Sequence, residues 1–331
     1  MGLARVGPLR RVLRKPLGVS GWLGEDLAVD GERVVRQFGL GRLVAEPVAV
    51  GGGLSNEMWR LVTEDGVFAV KRMIVNADRP DFVGNVEASF AVERRAWAAG
   101  VAMPEPVPEP STGRALARVD GGLFRVHRWV EGTPGLGSAA QAARLLASIH
   151  AAGEARWESV PAVGWKAAGW GWELGALAGR VAPTPGRVAL ASGRVVPGPG
   201  RALVVDSHRD LDRKNTLTTA AGVLAALDWD AAGPICAVHE AVGLALDWAD
   251  GDDSGFAAAL RTYCDLSGVL VPAEPWVFAG WVEAQGEWLD YNATHRADTA
   301  LGQAEVAATS TRLHHLAASL DTLLAAIPRP L

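Results

Sequence analysis

The sequence predicts an α+β fold in two parts, a small antiparallel sheet carrying one helix and then a larger, mainly helical body. Three observations predict it. Runs rich in Val, Trp, Leu and Phe flank Asp65-Gly66, and a second pair of runs flanks Asp120-Gly121, each with the composition of a β-hairpin. After "EGTPGLG" the texture changes to helical periodicity with "SAAQAARLLASIHAAG". From residue 236 onward the pattern is helical almost throughout. The expected organisation is a leading segment over 1–36, a first lobe over 37–130 and a helical lobe over 131–331, joined at about 131–137.

The opening "MGLARVGPLRRVLRKPLG" is basic and free of acids, but Pro8 and Pro16 interrupt an amphipathic helix and there is no apolar h-region. It reads as a tail. Residues 46–73, "EPVAVGGGLSNEMWRLVTEDGVFAVKRM", read as strands around a glycine-rich turn and the first hairpin. The helix "NVEASFAVERRAWAAG" follows, stopped by Gly100 and Pro104. "RALARVDGGLFRVHRWVEG" supplies the second hairpin. In the next helix Ser138 is the N-cap, Leu145 and Ile149 share a face, and Gly153 closes it. Residues 154–200, rich in Trp, Gly and Pro, read as a connection or insertion. Leu203, Val204 and Val205 form a short buried strand, "GVLAALDWD" another, and long helices lie near 274–296 and 303–327.

Composition narrows the function classes. The 331 residues are 49% apolar and 21% charged, ordinary for a folded chain with a sizeable core. A formal net charge of −5 argues against a nucleic-acid partner, because neutralising phosphates requires a basic surface. No apolar run is long enough to span a bilayer, so no membrane partner is expected. Two cysteines, Cys236 and Cys264, supply neither a disulfide framework nor zinc-site spacing, which favours a reduced, cytoplasmic setting.

The chemistry concentrates where apolar runs end. In "RALVVDSHRDLDRKN" the polar residues come as the chain leaves the core, placing Asp210 and Asn215 on one loop. An Asp followed five residues later by an Asn suits a turn in which the carboxylate faces a substrate hydroxyl and the carboxamide a cation. The run "GVLAALDWD" delivers Asp228 in the same way. Carboxylate and amide oxygens are the hard donors Mg²⁺ takes, with phosphate oxygens completing its shell. Lys71 sits on the strand after "GGGLSN", where an ammonium reaches phosphates covered by backbone N–H groups.

The order of these parts resembles the protein-kinase-like fold, and within it the aminoglycoside phosphotransferase and choline kinase branch. "GGLSNEMWRLVTEDGVFAVKR", "AAGVAMPEPV", "LLASIHAAG", "SHRDLDRKN" and "ALDWDAAGP" stand in that branch's usual order over about residues 40–300. No "DFG" or "APE" is present, which favours a small-molecule acceptor over a protein. The resemblance implies a bilobal fold, ATP and Mg²⁺ as cofactors, and transfer of the γ-phosphate to a hydroxyl of an aminoglycoside-like antibiotic, amino alcohol or sugar. It further implies that Gly51, Gly52, Gly53 and Ser55 cover the phosphates and that Lys71 pairs with the α- and β-phosphates. Arg128, Trp129 and Val130 would meet the adenine through their backbone, Asp210 would accept the hydroxyl proton, and Asn215 and Asp228 would hold the metal. A helix carboxylate, Glu93 in preference to Glu87, would pair with Lys71. Where the branch has Gly between the His and Asp of its loop this chain has Arg209, either touching the γ-phosphate or bracing the loop. Glu240 stands where an Asp is usual behind that loop.

Other readings accompany these. A non-catalytic nucleotide-binding or sensing member of the same fold is the alternative function. Asp210 alone would serve as a turn former and Asn215 as a cap. A dinucleotide-binding reading of "GGGLSN" fails because a hairpin rather than a helix follows it. His208 reads as structural. Trp281, Trp288 and His295 recur at seven-residue spacing, as core packing does, and Trp165, Trp170, Trp172 or Trp288 would otherwise line an acceptor pocket. Asp247, Asp250, Asp252 and Asp253 read as a solvated face, or as recognition of amino groups.

Overall fold

The computed structural model describes residues 29–51, 56–161, 164–183, 190–191, 194–195 and 200–328. The fold class is the one expected, antiparallel sheets with eight α-helices among the described residues. The chain forms two compact units, one of residues 29–134 with 217–232, the other of 135–216 with 233–328.

The first unit opens with α1 (Gly31–Phe38), which straddles the expected boundary between the leading segment and the first lobe at 36/37. Its signals are local: the Asp30 side chain accepts from the Arg33 N–H, and Gly39 closes the helix at φ 63°. Val34, Val35 and Phe38 are buried against Trp59, Leu61, Phe68 and Val126, each such side chain contributing about 1.5–3 kcal/mol. Strands β1 (Val48–Ala49), β2 (Asn56–Thr63) and β3 (Gly66–Met73) follow, then α2 (Phe82–Ala98), β4 (Pro106–Val107), β5 (Ala117–Val119), β6 (Gly122–Arg128) and β7 (Thr133–Pro134). The sheet runs β1-β2-β3-β6-β4, with β5 also paired to β6. Thr63 pairs with Gly66, so the first hairpin turns on Glu64-Asp65, one residue earlier than expected. The second turns on Asp120-Gly121, both left-handed at φ 48° and 81°, the combination a type I′ turn requires.

Period-two alternation assigns faces. Val70 and Val126 join the cluster under α1, so their neighbours Lys71 and Arg125 project from the opposite face. Lys71 pairs directly with Arg125 across β3 and β6.

The second unit begins with α3 (Ala139–Ala152), where Ser138 and Gln141 form a reciprocal capping box. The stretch 154–200, expected as a connection, carries β8 (Ala155–Glu158), α4 (Trp172–Val181) and the pair β9 (Leu190–Ala191) and β10 (Arg194–Val195). Next comes β11 (Ala202–Ser207). The chain then contributes β12 (Thr216–Thr218) and β13 (Leu224–Ala226), which extend β7 into a three-stranded sheet. Strand β14 (Gly233–Cys236) returns to β11, giving the order β14-β11-β8. Helices α5 (Ala237–Ala249), α6 (Asp253–Ser267), α7 (Ala279–His295) and α8 (Ala300–Ala326) complete the unit. No helix among the described residues is long and apolar enough to cross a membrane.

The tryptophans of α7 pack against neighbouring helices. Trp281 donates to Asp247, and Trp288 stacks on Tyr291 and donates to Glu305. Trp165 lies flat on α7, where a Cβ on Gly286 would come within 2.0 Å of its ring. Trp165 and Trp170 both donate to Asp290, while Trp172 is exposed. Three of the four acids read as a cluster have structural partners. Asp247 takes the Trp281 N–H, Asp250 pairs with Arg213, and Asp252 caps α6 through the N–H groups of Ser254 and Gly255.

His239 in α5 is buried, with the Trp276 carbonyl 3.1 Å from its Nε2. Burial pushes its pKa down to about 4. The neutral ring is therefore favoured in the folded state, while the unfolded state takes up a proton below the ordinary imidazole value. Its contribution is complete above about pH 6.5, falls as pH drops towards 4 and levels off below, a loss of about 3 kcal/mol. Urea titrations at pH 7 and pH 4.5 should show this slope in the wild type and a shallower one in His239→Asn. An equal slope in both would assign the acid sensitivity to other groups.

Candidate active site

The first unit gathers charge around Lys71. From the middle of β3, Lys71 Nζ reaches Asp228 Oδ1 at 2.7 Å and Asp230 Oδ2 at 2.6 Å. Both acids follow β13 and flank the buried Trp229 in a 3₁₀ turn, Asp228 in the left-handed conformation at φ 59°. The turn is tied to α2, where Ser89 Oγ donates to the carbonyls of Asp230 and Ala232 at 3.1 and 3.0 Å. Arg125, a buried side chain, donates to the other oxygen of Asp230 and to Glu93 Oε2. His127 Nε2 lies 2.8 Å from Glu93 Oε1.

Like charges directly opposite each other in a sheet repel, so the Lys71–Arg125 pair needs compensation. Asp230 supplies it by giving one oxygen to each cation. Burial pushes the Lys71 ammonium down, but Asp228 and Asp230 outweigh this and hold it above its ordinary value. Burial pushes Glu93 up, and Arg125 with His127 reverses this, keeping the carboxyl below its usual range. The expected direct pairing of Lys71 with a helix carboxylate is therefore absent. Both Glu93 oxygens engage Arg125 and His127, and Glu87 accepts the N–H groups of Ala115 and Leu116.

The second unit carries the loop after β11. Asn215 Nδ2 donates to Asp210 Oδ2 at 3.0 Å and to the Asp210 carbonyl at 2.8 Å. Asp212 accepts the Asn215 N–H and Trp248 Nε1 donates to the Leu211 carbonyl, so the loop is held from within and from α5. His208 is fully buried, in keeping with a structural role. Glu240 accepts the Arg209 N–H at 2.7 Å with one oxygen and meets His150 Nε2 at 2.8 Å with the other. Burial raises the Glu240 carboxyl, but the hydrogen bond of His150, with that of the Arg209 N–H, brings it below the usual range.

Arg209 occupies the left-handed region at φ 67°, which explains why glycine suits this position. Its guanidinium lies against β14, 3.3 Å from where a Cβ on Gly233 would stand. Arg209→Gly should hold or raise the melting temperature, since about 1–2 kcal/mol of backbone strain is released against about 0.4–1 kcal/mol of added unfolded-chain entropy. A clear fall on thermal denaturation would show that guanidinium packing outweighs the strain.

Lys71 and Asp228 are thus brought together in one unit, and Asp210 with Asn215 in the other. Gly51 is exposed, with nothing within 4 Å of a Cβ built on it, and Gly52, Gly53 and Ser55 lie outside the described residues. In the 128–130 segment the Arg128 N–H goes to the Glu105 carbonyl and the Trp129 N–H to that of Val67. Arg125, Asp230 and His150 were not among the expected site residues. The available signal was alternation along β6, which sets Arg125 and His127 on the face of Lys71.

Known proteins point the same way. The phosphotransferase enzyme family model matches residues 47–268. Among solved structures, an aminoglycoside phosphotransferase from Alicyclobacillus acidocaldarius is 14% identical, with 92% of this chain and 99% of that chain covered and a TM-score of 0.54. A microcompartment-associated aminopropanol kinase is 14% identical over 86% of this chain and 96% of its own, with a TM-score of 0.57. An amicoumacin kinase solved with AMP-PNP, Ca²⁺ and its antibiotic is 14% identical over 86% and 93%, with a TM-score of 0.53. At these identities the likeness is one of fold. No curated protein matches the chain in sequence.

Proposed function

We propose, from the premise that this chain belongs to the phosphotransferase enzyme family, that it is an ATP-dependent kinase of a small hydroxylated molecule. The acceptor class is an aminoglycoside-like antibiotic, an amino alcohol or a sugar, and two buried free cysteines suit a reduced, cytoplasmic setting. One observation carries the reading: a strand lysine held between two carboxylates that follow a distant strand, Lys71 with Asp228 and Asp230. A structural neighbour solved with a nucleotide analogue supports it at the level of fold.

In this reading the first unit binds nucleotide. Lys71 neutralises the α- and β-phosphates, Gly51, Gly52, Gly53 and Ser55 cover them, and Val130 offers its backbone to the adenine. In the second unit Asp210 Oδ2 is held by Asn215, leaving Oδ1 to face the acceptor. The acceptor oxygen bonds to the γ-phosphorus as the bond to the β-phosphate oxygen breaks; its proton passes to Asp210 and ADP leaves. Positioning and charge stabilisation suffice for this chemistry.

The residues present fit Mg²⁺. Asn215 turns its Nδ2 to Asp210 and so presents Oδ1 to a cation, and Asp228 keeps a partly exposed carboxylate at the end of its strand. Both are hard oxygen donors. When bound, the ion would offset the charge that develops on the transferred phosphoryl group.

The test is acceptor-dependent ADP release across hydroxylated amines, sugars and antibiotics. A hit confirmed by mass gain of one phosphoryl group establishes the activity. Slow ATP hydrolysis without acceptor separates a kinase from an idle nucleotide binder, which would show none.

A further inference from the structure

We infer that Asp230, oriented by Arg125, is the residue that positions Lys71 for the nucleotide, in place of a carboxylate on α2. This rests on the kinase reading above and deepens it.

Among the described residues Lys71 has two carboxylate partners, and the proposed function commits one of them, Asp228, to the metal ion. Asp230 remains. Its two oxygens are divided between Lys71 and Arg125, so the carboxylate has a fixed direction as well as a fixed charge. Its backbone is equally constrained, by the buried Trp229 beside it and by the Ser89 hydroxyl on its carbonyl. Arg125 is in turn held by the fully buried Glu93, which His127 holds on its other oxygen. The result is a chain of alternating charge, Glu93–Arg125–Asp230–Lys71, that begins on α2 and ends at the lysine. The helix carboxylate reaches Lys71 through two intermediaries. To do so directly, Glu93 would have to abandon both partners and leave the buried Arg125 with Asp230 alone. Asp230 and Arg125 are positioning residues in this scheme, because they act on the phosphates through Lys71.

Binding of ATP, measured calorimetrically at saturating Mg²⁺ and then as a Mg²⁺ titration at fixed ATP, tests the assignment. Asp230→Asn should weaken ATP by about tenfold, the scale of one charged hydrogen bond, without moving the Mg²⁺ midpoint, whereas Asp228→Asn should move it. In a Lys71→Ala background Asp230→Asn should cost almost nothing further, since the two act as a unit. Arg125→Met combined with Glu93→Gln leaves no buried carboxylate bare, and should weaken ATP as Asp230→Asn does and add nothing to it. A Mg²⁺ midpoint shifted by Asp230→Asn would make Asp230 a metal ligand and overturn the inference. So would additive losses with Lys71→Ala, or a lowered melting temperature with ATP affinity intact in the Arg125 variant. If the wild-type chain binds no Mg²⁺–ATP, the kinase reading itself falls, and this inference with it.

Discussion

Asp210→Asn should lower acceptor-dependent turnover by about a thousandfold, in the middle of the range for loss of a positioned proton acceptor, and leave the affinity for ATP near wild type. The separation follows from the position of the residue. Asp210 is partly exposed on the loop after β11, and its side chain has one protein contact of note, the Asn215 amide. Asparagine can keep that contact through its own oxygen, so the loop loses a charge and no hydrogen bond. Asp210→Ala should be at least as inactive, while leaving the Asn215 amide without its side-chain acceptor. Steady-state kinetics with any confirmed acceptor, alongside thermal denaturation, would separate the two effects. Near-wild-type turnover in Asp210→Asn would remove this residue from the chemistry. A comparable fall in ATP affinity would move its role to nucleotide binding.

The residues that stand out in the sequence are those at strand ends and on punctuated turns. Lys71, Asp210, Asn215 and Asp228 follow apolar runs or sit within one, where a polar side chain stands out. Ser138 was readable because its capping box lies within four residues. The residues that escaped are those whose meaning depends on distant partners. In "LFRVHR" Arg125 and His127 look like the solvent side of a half-buried strand. They are instead engaged by Glu93 and Asp230, 32 and 105 residues away from Arg125. Asp230 resembles an ordinary turn acid, and only the contacts of Lys71 show that the two carboxylates flanking Trp229 share an environment. Helix α1 was missed because its eight residues stand beside a basic tail, although its cap and apolar face are both local. β8 and α4 were missed because glycine, proline and tryptophan dominate their surroundings. For β8 the deciding information is its pairing with β11, more than forty residues on.

Glu240→Ala should cost about 2–6 kcal/mol of stability, since it strands two buried donors at about 1–3 kcal/mol each, and should also reduce turnover in the molecules that remain folded. The carboxylate is the meeting point of two sets of donors. On one side Tyr263 donates its hydroxyl to His150 Nδ1, and His150 donates from Nε2 to Glu240, the tautomer the network assigns. On the other side the Arg209 N–H donates to the second oxygen. Alanine strands the imidazole and the amide together, and the freed amide belongs to the residue held at positive φ directly before Asp210. With that tether gone, Arg209 loses an interaction that supports its strained backbone, and the loop relaxes towards conformations that misdirect the carboxylate after it. Glu240→Gln should be milder, about 1–2 kcal/mol, because its oxygen can still accept from Arg209 while its amide obliges His150 to adopt the other tautomer. Since the folded state holds the Glu240 carboxyl below its usual range, its share of stability is present above the ordinary glutamate value and lost as pH falls through the native one. Urea unfolding and kcat measured together on both variants would decide the matter. If Glu240→Ala is as stable as wild type, the network is not what holds the loop, and if it is destabilised with kcat unchanged, the network supports the fold without aiming Asp210.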